Sequence, residues 1–188
     1  MSAPRFRFDT NSPYAHLAAA RVERVLGPGV VWEPIAFGFL LAHQGRRPWS
    51  FDEPSRTEGK AECEARAARY GLPPMTWPPG WPVGSYTLEP LRAASAAAAR
   101  GRGREVALAL FARNFVTGEG LLDPAVVRAC WAEGGLDPAD YDAALSEGRA
   151  SLRAATDAAI AEGVPGVPTV TVAGRHFWGD DQLEATAA

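Results

Sequence analysis

Residues 5–15 read R-F-R-F-D-T-N-S-P-Y-A, and the change of character within this stretch decides the fold. Arg5 to Asp9 alternate polar and apolar side chains, the period-two pattern of a short strand. Thr10-Asn11-Ser12-Pro13 is turn and cap chemistry, with proline suited to the first helical position, where an N–H would have no partner. Leu17, Ala20, Val22 and Val25 then suit a helix that stops at Gly27-Pro28-Gly29. Residues 30–36 open on β-branched side chains and read as a second, buried strand. Strand, helix and strand in so short a length make, most simply, a parallel βαβ unit, given the handedness of such crossovers.

Further along, the pattern turns helical. Residues 38–55 hold no clear period, and 57–70 read as a helix ended by Gly71. The loop 75–85 is crowded with Trp77, Pro78, Pro79, Trp81 and Pro82. Helices are predicted at 88–99, 105–117, 124–133, 138–147 and 151–162, two of them opened by an aspartate cap before proline at Asp123 and Asp137. Strands return at the end: 167–173 is V-P-T-V-T-V-A, Gly174 turns the chain, and 175–178 completes a hairpin. Gly179-Asp180-Asp181 then opens a last short helix. The strands at the two ends are too few for separate sheets. The expectation is an α/β fold in which 1–37 and 149–188 form one discontinuous domain and 38–148 is an inserted helical domain.

Composition bounds the function. Of 188 residues, 47% are apolar and 22% charged, the balance of a globular protein. The formal net charge is −3 and Lys60 is the single lysine, so a nucleic-acid partner is not expected. No apolar run approaches the roughly 20 residues of a membrane span. The charged start M-S-A-P-R-F-R-F-D lacks the apolar stretch of a signal peptide. Cys63 and Cys130 are far apart in helical segments and read as small buried apolar residues, which makes the cytoplasm the expected compartment. His16, His43 and His176 show no ligand spacing, so no metal is expected.

Three segments carry chemistry. Ser12 stands at the mouth of the first helix, among unpaired N–H groups and at the positive end of its dipole. Redox enzymes place a low-pKa cysteine at such a position. A serine there is either a plain N-cap or a hydrogen-bond donor to another molecule's sulfur. In G-V-P-G-V-P-T, residues 163–169, a proline opens a β-branched strand. It is either a trans proline at an edge or a cis Val167-Pro168 bond that leaves the Val167 peptide groups free for an extended ligand. In F-W-G-D-D-Q-L, residues 177–183, Gly179, Asp180 and Asp181 offer backbone N–H groups to a carboxylate and a side chain to an ammonium, or one aspartate simply caps.

Order and spacing together give this chain a family resemblance. F-D-T-N-S-P-Y, the helical middle, G-V-P-T and F-W-G-D-D-Q resemble the DsbA-type branch of the thioredoxin superfamily, and within it the 2-hydroxychromene-2-carboxylate isomerase and kappa-class glutathione transferase family. The W-P-V-G-S of residues 81–85 is similar to that family's central loop. The resemblance spans essentially the whole chain. It implies a thioredoxin-like fold, βαβ then αββα, with an all-helical insertion, and a small aromatic substrate. It implies glutathione, or another low-molecular-weight thiol, lying against Val167 and Pro168 with its γ-glutamyl end at Gly179, Asp180 and Asp181. Ser12 would be the catalytic group, activating the thiol as a borrowed nucleophile. Tyr14 and Arg46 are the expected substrate contacts, and the resemblance leaves a homodimer open.

The chain also departs from the pattern. Arg46 stands where the family's T-G-N-R-P stretch has asparagine, Gly84 replaces the asparagine of the central loop, and Gln182 replaces an arginine. Arg56 and Lys60 are the candidates for a basic cofactor contact. A glutathione-dependent isomerase is the first reading, a glutathione transferase its neighbour, and a catalytically silent binding protein the alternative from another class. Disulfide exchange is disfavoured, since Ser12 and Ala15 occupy both positions of a C-x-x-C pair.

Overall fold

The computed structural model describes residues 3–187. Strands β1 (Arg5–Phe8), β2 (Val31–Pro34), β3 (Thr169–Val172) and β4 (Arg175–Trp178) form one sheet in the order β2-β1-β3-β4. β1 runs parallel to β2, with Phe6 opposite Trp32, and antiparallel to β3, with Arg7 opposite Thr169. The βαβ unit and the C-terminal hairpin therefore share a sheet, as the sequence predicts. Ala173 and Gly174 turn the hairpin with φ of 48° and 79°, the pair of positive values that suits tightly joined, twisted strands.

The two faces of β1 differ in kind. Phe6 and Phe8 are fully buried on one face, against the edge of Trp32 and, for Phe8, the ring of Phe111. Arg7, on the other face, is equally buried. Its guanidinium donates to Glu33, Glu162 and Thr171. A buried cation without partners would cost several kcal/mol in lost hydration. Two carboxylates offset that cost and tie β2 and the end of the last helix to β1.

Helices α1 (Pro13–Ala19) and α2 (Val22–Leu26) replace the single helix expected there. The break is at Arg21, whose buried side chain reaches the Asp180 carbonyl and the Glu184 carboxylate and lies 3.6 Å over the Tyr70 ring. Helix α3 (Phe37–His43) lies in the stretch without a period. Remote groups hold its start: Thr156 Oγ1 accepts from the Ala36 N–H and the Asp9 carboxylate from the Phe37 N–H. Helix α4 (Glu53–Arg69) begins four residues before the expected 57, capped by Asp52, which accepts from the Ser55 N–H. Helices α5 (Glu89–Ala99), α6 (Gly103–Phe115) and α7 (Pro124–Glu133) follow.

The pair of helices predicted at 138–147 and 151–162 is one 21-residue helix, α8 (Tyr141–Ala161), behind a single 3-10 turn at Pro138–Asp140. Gly148 is no break. It lies inside α8 where α5 crosses so closely that an added Cβ would sit 2.0 Å from the Arg92 carbonyl oxygen. The boundary expected between 148 and 149 therefore falls within a continuous helix. The main core is also continuous, joining Phe6, Phe8 and Val170 of the sheet to Phe111, Phe115 and Trp131 of the helices. Among the described residues no helix is long and apolar enough to cross a membrane.

Candidate active site

A cleft of about 600 Å³ opens beside the start of α1. Eight of the residues singled out as site candidates line it: Ser12, Tyr14, Arg46, Val167, Pro168, Gly179, Asp180 and Asp181. Aromatic rings form much of the remaining wall, among them Phe37, Trp49, Trp81 and Trp178.

Ser12 is buried at the cap of α1. Its Oγ accepts from the Ala15 N–H at 3.2 Å, and its own O–H is engaged by no described group. Cap and free donor are thus combined in one side chain. The loop carrying it is pinned from the helical region. Asn11 donates to the Pro82 carbonyl at 2.9 Å and accepts from Ser85, Trp81 Nε1 donates to the Asn11 carbonyl, and Asn114 donates to the Thr10 carbonyl. Gly84 is legible here: its N–H bonds the Gly80 carbonyl, and a Cβ at 84 would lie 3.0 Å from that oxygen, so the asparagine of the family pattern would require this turn to shift by a few tenths of an ångström.

The Val167–Pro168 peptide is cis, as is Trp81–Pro82. Val167 is buried, and among the described residues neither its N–H nor its C=O has a hydrogen-bond partner, whereas the Pro168 carbonyl accepts from Gly179. The predicted helix at Gly179 is only a 3-10 turn, Asp180–Gln182, closed by the Gln182 N–H on the Gly179 carbonyl. Asp180 is buried and already partnered: Arg66 donates to Oδ1 at 2.6 Å and Tyr70 to Oδ2 at 2.9 Å. Burial nonetheless holds its carboxyl above the usual range, against those two donors. Asp181 is half-exposed, with one carboxylate oxygen 4.0 Å from the Arg66 guanidinium.

Arg46 sits on the rim, donating to Gln44 Oε1 and the Pro165 carbonyl and lying 5.3 Å from the Trp178 ring centre. Tyr14 donates to Glu62 at 2.8 Å. Arg56 and Lys60 are not on the cleft. Arg56 bonds the Ser50 carbonyl, and Lys60 lies over Trp77 and Trp81. The basic side chains that do line it are Arg46, Arg47 and Arg66.

Sequence reasoning missed Asp9, which also lines the cleft. Its side chain is 2% exposed and accepts from the Asn11 and Phe37 N–H groups, with the Tyr86 hydroxyl at 3.5 Å. Burial outweighs these donors and lifts its pKa from 3.8 to about 6. That displacement is worth about 3 kcal/mol at ~1.4 kcal/mol per pH unit. The folded state favours protonated Asp9, so this stability is present below about pH 4 and lost as pH rises through about 6. Between those limits the wild type is expected to lose about 3 kcal/mol more than Asp9→Asn, measured by denaturant unfolding at a series of pH values.

The profile of the DSBA-like thioredoxin domain matches residues 5–188. The chain belongs to that family. Solved structures of similar fold include a 2-hydroxychromene-2-carboxylate isomerase, 24% identical with a TM-score of 0.79, covering 98% of this chain and 92% of its own. A "probable DsbA oxidoreductase" from Streptomyces coelicolor is 20% identical with a TM-score of 0.71, over 98% and 88%. A cytosolic disulfide reductase, DsbM, from Pseudomonas aeruginosa is 18% identical with a TM-score of 0.64, over 98% and 96%. No curated protein matches the chain.

Proposed function

We propose that this DSBA-like protein is a glutathione-dependent enzyme, an isomerase of the 2-hydroxychromene-2-carboxylate isomerase type acting on a small aromatic electrophile. The observation that carries the reading is the hydroxyl donor of Ser12, engaged by no described group, at the start of α1 and inside a large aromatic cleft to which the described residues bring no sulfur. Disulfide exchange needs an accessible thiolate. The only two thiols of the chain, Cys63 and Cys130, are buried outside the cleft, and burial pushes each up to about 12. A thiol in this cleft must therefore come with a ligand.

The residues fit a short thiol peptide. The unpartnered N–H and C=O of buried Val167 match the backbone of a central cysteine residue. Asp181 suits an ammonium group, and Arg47 a carboxylate. Glutathione, when bound, supplies the nucleophilic sulfur. Ser12 donates its hydroxyl proton in a hydrogen bond to the sulfur and so favours the charged form. The aromatic wall excludes water and takes the flat face of the substrate.

Both glutathione and its S-methyl analogue are expected to raise the thermal midpoint, since a ligand that binds only the folded state stabilises it. At a hundredfold excess over Kd the rise is roughly 5–10 °C. Asp181→Asn should shrink the rise with either ligand. A midpoint unmoved by both ligands would remove glutathione from the proposal.

A further inference from the structure

Asp9 and Tyr86 are unused by this account, yet both line the same cleft as Ser12. Tyr86 is 36% exposed, so its ring is open to a ligand, and its hydroxyl lies 3.5 Å from the Asp9 carboxylate. Asp9 itself is shut away from bulk water. A buried carboxyl behind a ligand-facing phenol can give a proton inward to a ligand and take it back without solvent.

We infer that Tyr86 and Asp9 form an oxyanion site that supplies a proton to a carbonyl oxygen of the aromatic substrate. The inference rests on the isomerase reading and adds to it the group that meets the substrate's developing negative charge. When an electron pair of the conjugated substrate moves onto its carbonyl oxygen, the Tyr86 O–H breaks and its proton passes to that oxygen. The protonated Asp9 carboxyl gives its own proton to the Tyr86 oxygen. When the carbonyl re-forms, both protons return along the same path. No oxidant, reductant or net proton is consumed. Tyr86 is the group that touches substrate, and Asp9 acts through it.

The surroundings suit this exchange. Burial lifts the Asp9 pKa to about 6, which keeps an appreciable protonated fraction close to neutrality. Its hydrogen-bonding neighbours are the Asn11 and Phe37 amides and the Tyr86 hydroxyl. Burial and the nearby Asp9 carboxylate both hold the Tyr86 phenol above its ordinary range, so it stays protonated until a partner draws on it. Arg46, Arg47 and Arg66 line the same cleft and attract any anion. That attraction is common to wild type and to variants at Asp9 and Tyr86, so it cancels from their comparison.

The test uses dinitrophenolate, anionic over the range examined, as an aromatic oxyanion probe, with the protein free of glutathione. Its binding is followed by visible absorbance. Wild type is expected to bind roughly tenfold more tightly at pH about 5 than at about 8, because one charge-assisted hydrogen bond is gained. Tyr86→Phe, which removes only a hydroxyl from a part-exposed ring, should weaken acid-side binding by about the same factor. Asp9→Asn should flatten the pH dependence. Equal binding by wild type and Tyr86→Phe, or a pH dependence that survives Asp9→Asn, overturns the oxyanion site. Neither result bears on glutathione, whose binding stands on the thermal-shift comparison alone.

Discussion

Replacing Ser12 with alanine is expected to slow turnover by ten- to a hundredfold and to raise the pKa of the bound thiol. The Ser12 hydroxyl proton is free in the cleft, so a bound sulfur anion is its natural acceptor. One hydrogen bond to a charged group is worth roughly 1.5–3 kcal/mol. At ~1.4 kcal/mol per tenfold, that is one to two orders of magnitude in rate. An acyl-enzyme route would need a histidine base, and the nearest candidate in sequence does not serve. His16 lies one turn further along α1, buried beside Phe111 and Phe115, and burial drives its pKa down to about 4. The same substitution removes the α1 cap on the Ala15 N–H, at a cost of about 1 kcal/mol. A fall of a few degrees in Tm is therefore expected in either case and does not discriminate. Thiolate absorbance against pH does. If Tm falls while turnover and thiol pKa stay put, Ser12 is only a cap and the silent-binding reading takes first place.

What the sequence showed and what it hid follow from the range of the interactions. β1, β2 and the hairpin were legible because period-two patterning and the Ala173-Gly174 turn are local signals. The three segments of the cleft were legible because each carries its chemistry in a few adjacent residues. α3 was not legible. Its first amides are held by Asp9, 28 residues upstream, and Thr156, 120 residues downstream, and neither tie leaves a mark on the local pattern.

Asp9 was read as a strand end for the same reason. Its burial is made by α3 and by Tyr86, 77 residues away. Arg66 was passed over because Glu62 and Arg66, four apart on a helix, are ordinarily a solvated surface pair. In the fold that guanidinium also reaches Asp180, 114 residues on, and fixes the carboxylate that the sequence offered to a ligand. Arg56 and Lys60 lie on the same helix but face other partners. Spacing along α4 does not say which face meets the C-terminal segment; only the packing of α4 on α1 does.

Gly148 tests the reading of α8 as one helix crossing α5 at close range, and Gly148→Ala is expected to destabilise the protein by about 2 kcal/mol, lowering Tm by roughly 4–8 °C. Two effects oppose each other. In a helix interior, alanine is favoured over glycine by about 1 kcal/mol. Against that, the new Cβ would lie 2.0 Å from the Arg92 carbonyl oxygen, 2.8 Å from the Arg92 carbonyl carbon and 3.3 Å from the Ala96 Cβ. The nearest of these are backbone atoms and the third is a single methyl, so no flexible side chain can swing aside. α5 reads E-P-L-R-A-A-S-A-A-A-A, a surface of small residues that permits the approach and offers nothing to yield. The helices must part, and α5 takes with it Leu91, which packs with Ala36 and Leu152 beside α3. Overpacking of this kind costs about 1–3 kcal/mol and more where backbone must move, so the clash outweighs the gain in propensity. Ala150→Gly, on the exposed side of α8, isolates the propensity contribution and should cost about 1 kcal/mol without any clash. Should Gly148→Ala instead stabilise by that same amount, the crossing is not held at this distance, and Gly148 is merely tolerated in α8.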